Sequence, residues 1–135
     1  MKNLFLASLV LMFVSCDKHL NEKVFEGKNV KVRWYRISRI TSVHEYVDLE
    51  IRHKTYNLLE SNSEGVYDII VKGDTIIIQV VNDLLIYELS AIANGNIIIL
   101  DSSITSCQYQ KKFFPEFATD CNDSIYSIPG KFTRN

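Results

Sequence analysis

Proline occupies only two of 135 positions, 115 and 129, and glycine only five, so the chain holds no glycine-rich loop to cradle a phosphate. It has no Gly-x-Ser-x-Gly nucleophile elbow and no His-Glu-x-x-His helix. The three histidines, His19, His44 and His53, occur singly, with no metal-like grouping of Cys and His, so no metal and no other cofactor is expected. Neither sign of charge dominates, with 15 basic against 16 acidic residues, which argues against a dedicated nucleic-acid binder. Helical periodicity is almost absent.

What is present begins at the N-terminus. Lys2 precedes an eleven-residue apolar run over residues 4–14, then Ser15 and Cys16, the charged n-region and short h-region of a secretory signal peptide. Eleven helical residues at about 1.5 Å each cover roughly half of a hydrocarbon core about 30 Å thick, so the run reads as an export signal and not as a spanning helix. The stretch Phe13-Val14-Ser15-Cys16 resembles the lipobox of bacterial lipoproteins, with Phe13 where the family usually has Leu. That resemblance implies acylation of Cys16, removal of residues 1–15 and attachment to a membrane of the bacterial cell envelope, with the domain in the periplasm or on the cell surface. A diacyl thioether plus an amide-linked chain exceeds the single acyl group that binds only reversibly. A plain signal peptide ending near a cysteine is the alternative. Export makes Cys107 and Cys121 an even pair in an oxidising compartment, and a disulfide between them is expected.

Residues 66–89 are the organising stretch. With Gly73-Asp74 as a two-residue hairpin loop, Tyr67, Ile69 and Val71 face Val80, Ile78 and Ile76, while Asp68 meets Gln79 and Lys72 meets Thr75. A second loop at Asn82-Asp83 puts Leu85, Tyr87 and Leu89 on that same face, and a slip of one residue would reverse every side chain. Asn94-Gly95 is the strongest hairpin signal, setting Ala91 opposite Ile98 and Leu89 opposite Leu100.

Elsewhere, residues 17–28 lack a sustained period and read as a tether, so the domains are a signal peptide (1–15), a tether (16–28) and a β-rich domain (29–135) whose residues 110–135 form an irregular tail. Val30, Val32 and Trp34 alternate with Lys31 and Arg33; the apolar set then moves to Tyr35 and Ile37, which suggests a bulge near Trp34. Val47, Leu49 and Ile51 form a second alternation, joined through His53-Lys54 to residues 55–60, with Ile51 facing Tyr56 and Leu49 facing Leu58. Asp101-Ser102-Ser103 turns the chain into a last strand over residues 104–109. About eight short strands at regular intervals predict an all-β domain, an antiparallel meander closed as an up-and-down barrel or folded as a sandwich.

The opposite faces are also apolar: Ile70, Ile77, Val81, Leu84, Ile86, Ile97 and Ile99. A covering C-terminal segment that includes Phe113, Phe114, Phe117, Ile125, Tyr126 and Ile128, held by the disulfide, is the expected explanation; a partner or ligand surface is the alternative. Lys28, Lys31, Arg33, Arg36 and Arg39, with Trp34 and Tyr35 among them, form a basic run that suits an anionic ligand, or simply protects an edge strand. His44-Glu45 is the one acid-base couple to consider, and neighbours in a strand point to opposite faces. Asp123-Ser124-Ile125 and Asp74-Thr75-Ile76 are similar to the Asp-Ser/Thr-hydrophobe acceptor of bacterial O-glycosylation, which implies Ser124 before Thr75. The expectation is a non-catalytic module that meets a small apolar ligand or a protein partner besides its membrane. A periplasmic inhibitor that presents a loop such as residues 58–65, or a hydrolase, stands as the competing reading.

Overall fold

In the computed structural model, which describes residues 18–119 and Cys121, nine strands and one α-helix are laid down in chain order. The strands are β1 (Lys18–Glu26), β2 (Lys31–Ser38), β3 (Val43–Ile51), β4 (Lys54–Ser61), β5 (Val66–Lys72), β6 (Thr75–Val81), β7 (Ile86–Leu89), β8 (Ile92–Ala93) and β9 (Asn96–Ile104). Helix α1 (Ser106–Phe113) follows, then a 3-10 turn at Pro115–Phe117. One sheet has the order β1-β2-β3-β4-β7 and the other β5-β6-β9-β8. Their inner faces share a single core in which Val32, Val47, Leu49, Leu58 and Leu59 meet Val66, Ile76, Ile78 and Val80. The expected all-β fold is present as the sandwich and not as a closed barrel, since β1, β7, β5 and β8 remain sheet edges.

Local turn chemistry sets two registers as expected. At Gly73-Asp74, Ile69 pairs with Ile78, Val71 with Ile76, Asp68 with Gln79 and Lys72 with Thr75. Gly73 sits at φ +57°, the left-handed conformation that a side chain resists and glycine adopts freely. Beyond Asp68 a bulge shifts the strand, and Val66 takes the place opposite Val80 that the alternation assigned to Tyr67. At Asn94-Gly95, Ile92 faces Ile97, Ala93 faces Asn96, and the Ile98 N–H donates to Ala91 O at 2.9 Å.

Other junctions differ. The β3–β4 turn is Arg52-His53, one residue earlier than expected, so Ile51 pairs with Lys54 and Leu49 with Tyr56. Both turn residues have positive φ, 48° and 66°. Arg52 does not favour that region and His53 adopts it less readily than glycine, so the double variant R52N/H53G is expected to raise stability by about 1 kcal/mol, read from the urea midpoint. An unchanged midpoint would mean that Arg52 or His53 makes a compensating contact.

Asn82-Asp83 does not make a hairpin. The Leu84 N–H closes on Val81 O, and the Leu84 side chain plugs the space over Gly65, where an added Cβ would lie 2.6 Å from Leu84 Cδ1. With that plug set, β7 crosses to the other sheet and pairs with β4, Leu59 facing Leu89. Leu85, Tyr87 and Leu89 are therefore exposed instead of in the core, and Leu89 does not face Leu100. The meander is broken a second time because β9 joins β6 in parallel, Ile76 beside Ile98 and Ile78 beside Leu100.

Two supposedly irregular stretches are ordered. Lys18–Glu26, assigned to the tether, is an edge strand against β2. The expected last strand over residues 104–109 and the start of the irregular tail are replaced by the end of β9 and by α1. Thr105 caps that helix: its side chain accepts from Gln108 N at 3.1 Å, while Gln108 Oε1 accepts from Thr105 N at 2.8 Å. Thr and Gln three apart form a capping box, and this offsets the cost of the unpaired first-turn N–H groups. Cys107, buried on α1, lies at disulfide distance from Cys121, with Cα atoms 5.5 Å apart.

Candidate functional site

Strand β2 explains the site. Its register against β3 is unbroken from Lys31↔Glu50 to Ser38↔Val43, so no bulge occurs at Trp34. Strict alternation instead sends Arg36 inward after Val32 and Trp34, where it is 8% exposed. A buried guanidinium requires a partner, and Glu45 is directly opposite it in register. The interruption of the apolar pattern is this charge pair.

Glu45 is fully buried and saturated. Oε1 accepts from Trp34 Nε1 at 2.7 Å and from Arg36 Nε at 3.1 Å; Oε2 accepts from the backbone N–H of Gly65 at 2.7 Å and of Val66 at 2.8 Å. One carboxylate thereby ties β2, β3 and the entry to β5 together. Arg36 also donates from Nη2 to the Tyr109 hydroxyl on α1 at 3.1 Å, and its Nη1 lies 3.5 Å from Glu64. Burial alone would lower the Arg36 pKa, but Glu45, Tyr109 and Glu64 outweigh it and hold the group more firmly charged than usual.

Above this buried network lies a surface cleft of about 370 Å³, lined by Asn21, Glu22, Lys23, Trp34, Arg36 and Phe113. The β1 bulge between Leu20 and Lys23 brings Lys23 opposite Trp34. Its ammonium is 4.9 Å from the Trp34 ring centre and 5.7 Å from that of Phe113. Phe113 meets Trp34 edge-on at 6.1 Å, and Tyr109 lies 4.7 Å behind it. Among the described residues Lys23 makes no ion pair, whereas the neighbouring Glu22 is engaged by Arg33 at 2.9 Å. The cleft thus offers one exposed cation beside the half-buried Phe113 ring, with Trp34 almost wholly buried beneath the ammonium, an arrangement that suits an anion with an apolar or planar body.

The basic run is consequently not one patch. Lys31 and Arg33 project from the opposite face of β2, close to Glu26, Glu22 and Glu50, while Trp34 and Arg36 point inward and Arg39 lies in the β2–β3 turn. Spacing in sequence grouped them; the two-residue period separates them. Lys23 is the residue that pattern reading misses, since it falls in the expected tether; Phe113 is expected in the covering segment, and the structure sets it beside Trp34 instead.

His44 and Glu45 point to opposite faces. His44 lies on the outer face, its Nδ1 3.7 Å from Glu60, and Glu45 has no free lone pair toward a substrate. Among the described residues, side chains from the two inner faces form one apolar cluster between the sheets. Within residues 58–65, Leu58, Leu59, Ser61 and Gly65 are buried, Glu60, Asn62 and Glu64 are half-buried and Ser63 is exposed. Of the apolar set outside the core, Val81 is buried and Leu84 packs inward, but Ile97 and Ile99 are exposed on β9. Of the proposed covering segment, Phe113 and Phe114 pack on α1 and its surroundings and Phe117 is exposed, so the described part leaves Ile97 and Ile99 open. Ile125, Tyr126, Ile128 and Ser124 lie outside the described residues, as does Cys16. Thr75 begins β6, paired with Lys72 and Ile97. No group of three His, Cys, Asp or Glu side chains among the described residues can hold a metal, and no helix among them is long and apolar enough to cross a membrane.

Two tyrosines are held protonated. Burial, then the hydrogen bond from its hydroxyl to Asp48 at 2.8 Å, raises Tyr35 well above the ordinary phenol range. Burial also raises Tyr109, and Glu45 and Glu64 add to this while Arg36 opposes it. A phenol with a raised folded-state pKa contributes stability that is fully present below the unfolded value of about 10 and is lost as pH climbs through the folded value. Phenolate absorbance is therefore expected to show Tyr35 and Tyr109 ionising only together with alkaline unfolding, and the double variant Y35F/Y109F to flatten the fall in stability above about pH 10. Smooth ionisation of all seven tyrosines in the folded state would contradict it.

No protein-family model matches the chain, and no curated protein and no solved structure matches it.

Proposed function

We propose that this chain is a lipid-anchored lipoprotein of the bacterial cell envelope whose β-sandwich acts without catalysis as a binding module for a small organic anion with an apolar or aromatic body. The observation that carries the reading is the Lys23–Trp34–Phe113 cleft, in which an uncompensated ammonium faces two rings. The half-buried Phe113 ring favours a flat or apolar body by contact, and the ammonium supplies a charge-assisted bond to a carboxylate or sulfonate. The apolar cluster shared by both inner faces supports this surface seat over an apolar ligand in the core. The inhibitor alternative has less to support it: Leu58, Leu59 and Ser61 belong to β4 and are buried, which leaves Ser63 as the exposed residue of the stretch 58–65.

Trp34 is the sole tryptophan and sits in the cleft wall, so its fluorescence reports occupancy. Titration with 1-anilinonaphthalene-8-sulfonate is expected to quench Trp34 at one site per chain. Lys23→Glu is expected to weaken that binding about tenfold or more, the loss of one charge-assisted contact. Phe113→Leu is expected to weaken it to a smaller extent. Equal affinity in wild type and K23E, with melting curves unchanged, would refute the cleft as the seat.

A further inference from the structure

We infer that the β2–β3 turn, residues 39–42, is a membrane-contacting tip that inserts Ile40 into the interface of the bilayer carrying the lipid anchor. The inference rests on the proposed acylation of Cys16 and adds the surface by which the domain lies against its membrane.

The first strand leaves no room for a tether. β1 starts at Lys18, two residues after Cys16, and two extended residues span at most about 7 Å. Register then decides which part of the domain the anchor must bring to the bilayer. Lys18 pairs with Ser38 and His19 with Ile37, so the acylated end enters the fold beside the β2–β3 turn and no other loop of that sheet is paired with it.

The turn has the build for this. The Arg39 N–H donates to Ser42 O at 2.8 Å, which closes a four-residue reversal with Ile40 at its apex. Ile40 is 91% exposed, the highest among the exposed large apolar side chains. Arg39 and Thr41 beside it are exposed too, and the Arg39 guanidinium sits 3.5 Å from the Tyr46 hydroxyl with reach toward a phosphate. Pairing of β2 with β3 continues through Ile37↔His44 and Ser38↔Val43, two pairs past Glu45↔Ser61 where β4 ends. Those two pairs carry the tip roughly 7 Å past Ser61, the last paired residue of β4. An apolar apex flanked by a cation and a small polar residue matches the bilayer interface, where the aliphatic group enters the acyl boundary and the cation stays with the headgroups.

The test uses the acylated full-length product in vesicles of phosphatidylethanolamine and phosphatidylglycerol containing brominated acyl chains. The variant I40W places a second tryptophan at the apex, and Y87W places one on exposed β7 as the control. Insertion is shown by blue-shifted emission of I40W and loss of its added intensity to the bromolipid, with the Y87W increment unquenched. I40D is expected to lower the vesicle partition of the acylated protein roughly tenfold, the effect of removing one buried aliphatic side chain. Acylated protein that sediments with vesicles while the I40W increment stays red-shifted and unquenched overturns the tip and leaves the lipoprotein reading standing. Absence of acyl chains on Cys16 by mass spectrometry overturns both.

Discussion

Replacing Glu45 by alanine is expected to cost about 3–5 kcal/mol, enough to unfold a domain whose whole stability falls in the range of about 5–15 kcal/mol. The substitution takes away the acceptor of four donors at once: the Trp34 indole, the Arg36 guanidinium and the backbone N–H groups of Gly65 and Val66. Each is buried, so none recovers a water partner without opening the core, and an uncompensated guanidinium is the most expensive of the four. Glu64, at 3.5 Å and partly exposed, offsets only a part. Glu45→Gln keeps the shape and one acceptor oxygen, so it is expected to lose less than alanine while still confronting N–H donors with an amide N–H₂. Urea denaturation with a shared slope reads both. A loss under about 1 kcal/mol for Glu45→Ala would show that water enters and that the network is not what joins β2, β3 and β5.

Opening the Cys107–Cys121 link is expected to cost about 3 kcal/mol, on the chain-entropy argument for a loop of that length. The sequence separation of 14 sets the size of that term. The variant C107A/C121A removes the constraint while putting no polar group where Cys107 is buried. Helix α1 is only eight residues long, too short to hold itself in water, so it depends on its Thr105 cap, on Tyr109 and Phe113 packing, and on this link. Loss of the bond is therefore expected to fray α1 ahead of the sheets, raising amide exchange across Ser106–Phe113 and releasing Tyr109 from Arg36. Wild type in reductant should match the double variant. Equal stability of oxidised and reduced protein would contradict the role given to the bond.

How much of the site could be read beforehand depends on the range of the interactions that make it. Trp34 and Arg36 were singled out by the basic run, but for the wrong reason: they were grouped with Lys31 and Arg33, which the alternation of β2 puts on the other side. The apparent shift of the apolar set at Tyr35 mimics a bulge because Arg36, a charged residue, occupies an inward position. Its cause, Glu45, lies nine residues on, and only the β2–β3 register puts the two together. The capping box Thr105-Ser106-Cys107-Gln108 was a local signal for α1 that the expected last strand overrode. Lys23 has no local signal, and Phe113 has none for its place beside Lys23, because a cleft is made where an edge strand and a helix distant in sequence converge.

The chain by itself determined what short-range chemistry controls. Period-two alternation made it all-β, Gly73-Asp74 and Asn94-Gly95 set two hairpin registers through the φ values such pairs tolerate, and the pair expected to bond, Cys107 and Cys121, lies at disulfide distance. Tertiary structure alone decided that β7 joins β4, that β9 lies parallel to β6, and that the strands form two sheets instead of a barrel. Apolar residues line both faces of residues 66–100, so alternation could not say which face turns inward. That choice belongs to the packing of whole faces, with Leu84 over Gly65 and Glu45 beneath Trp34 among the contacts that settle it.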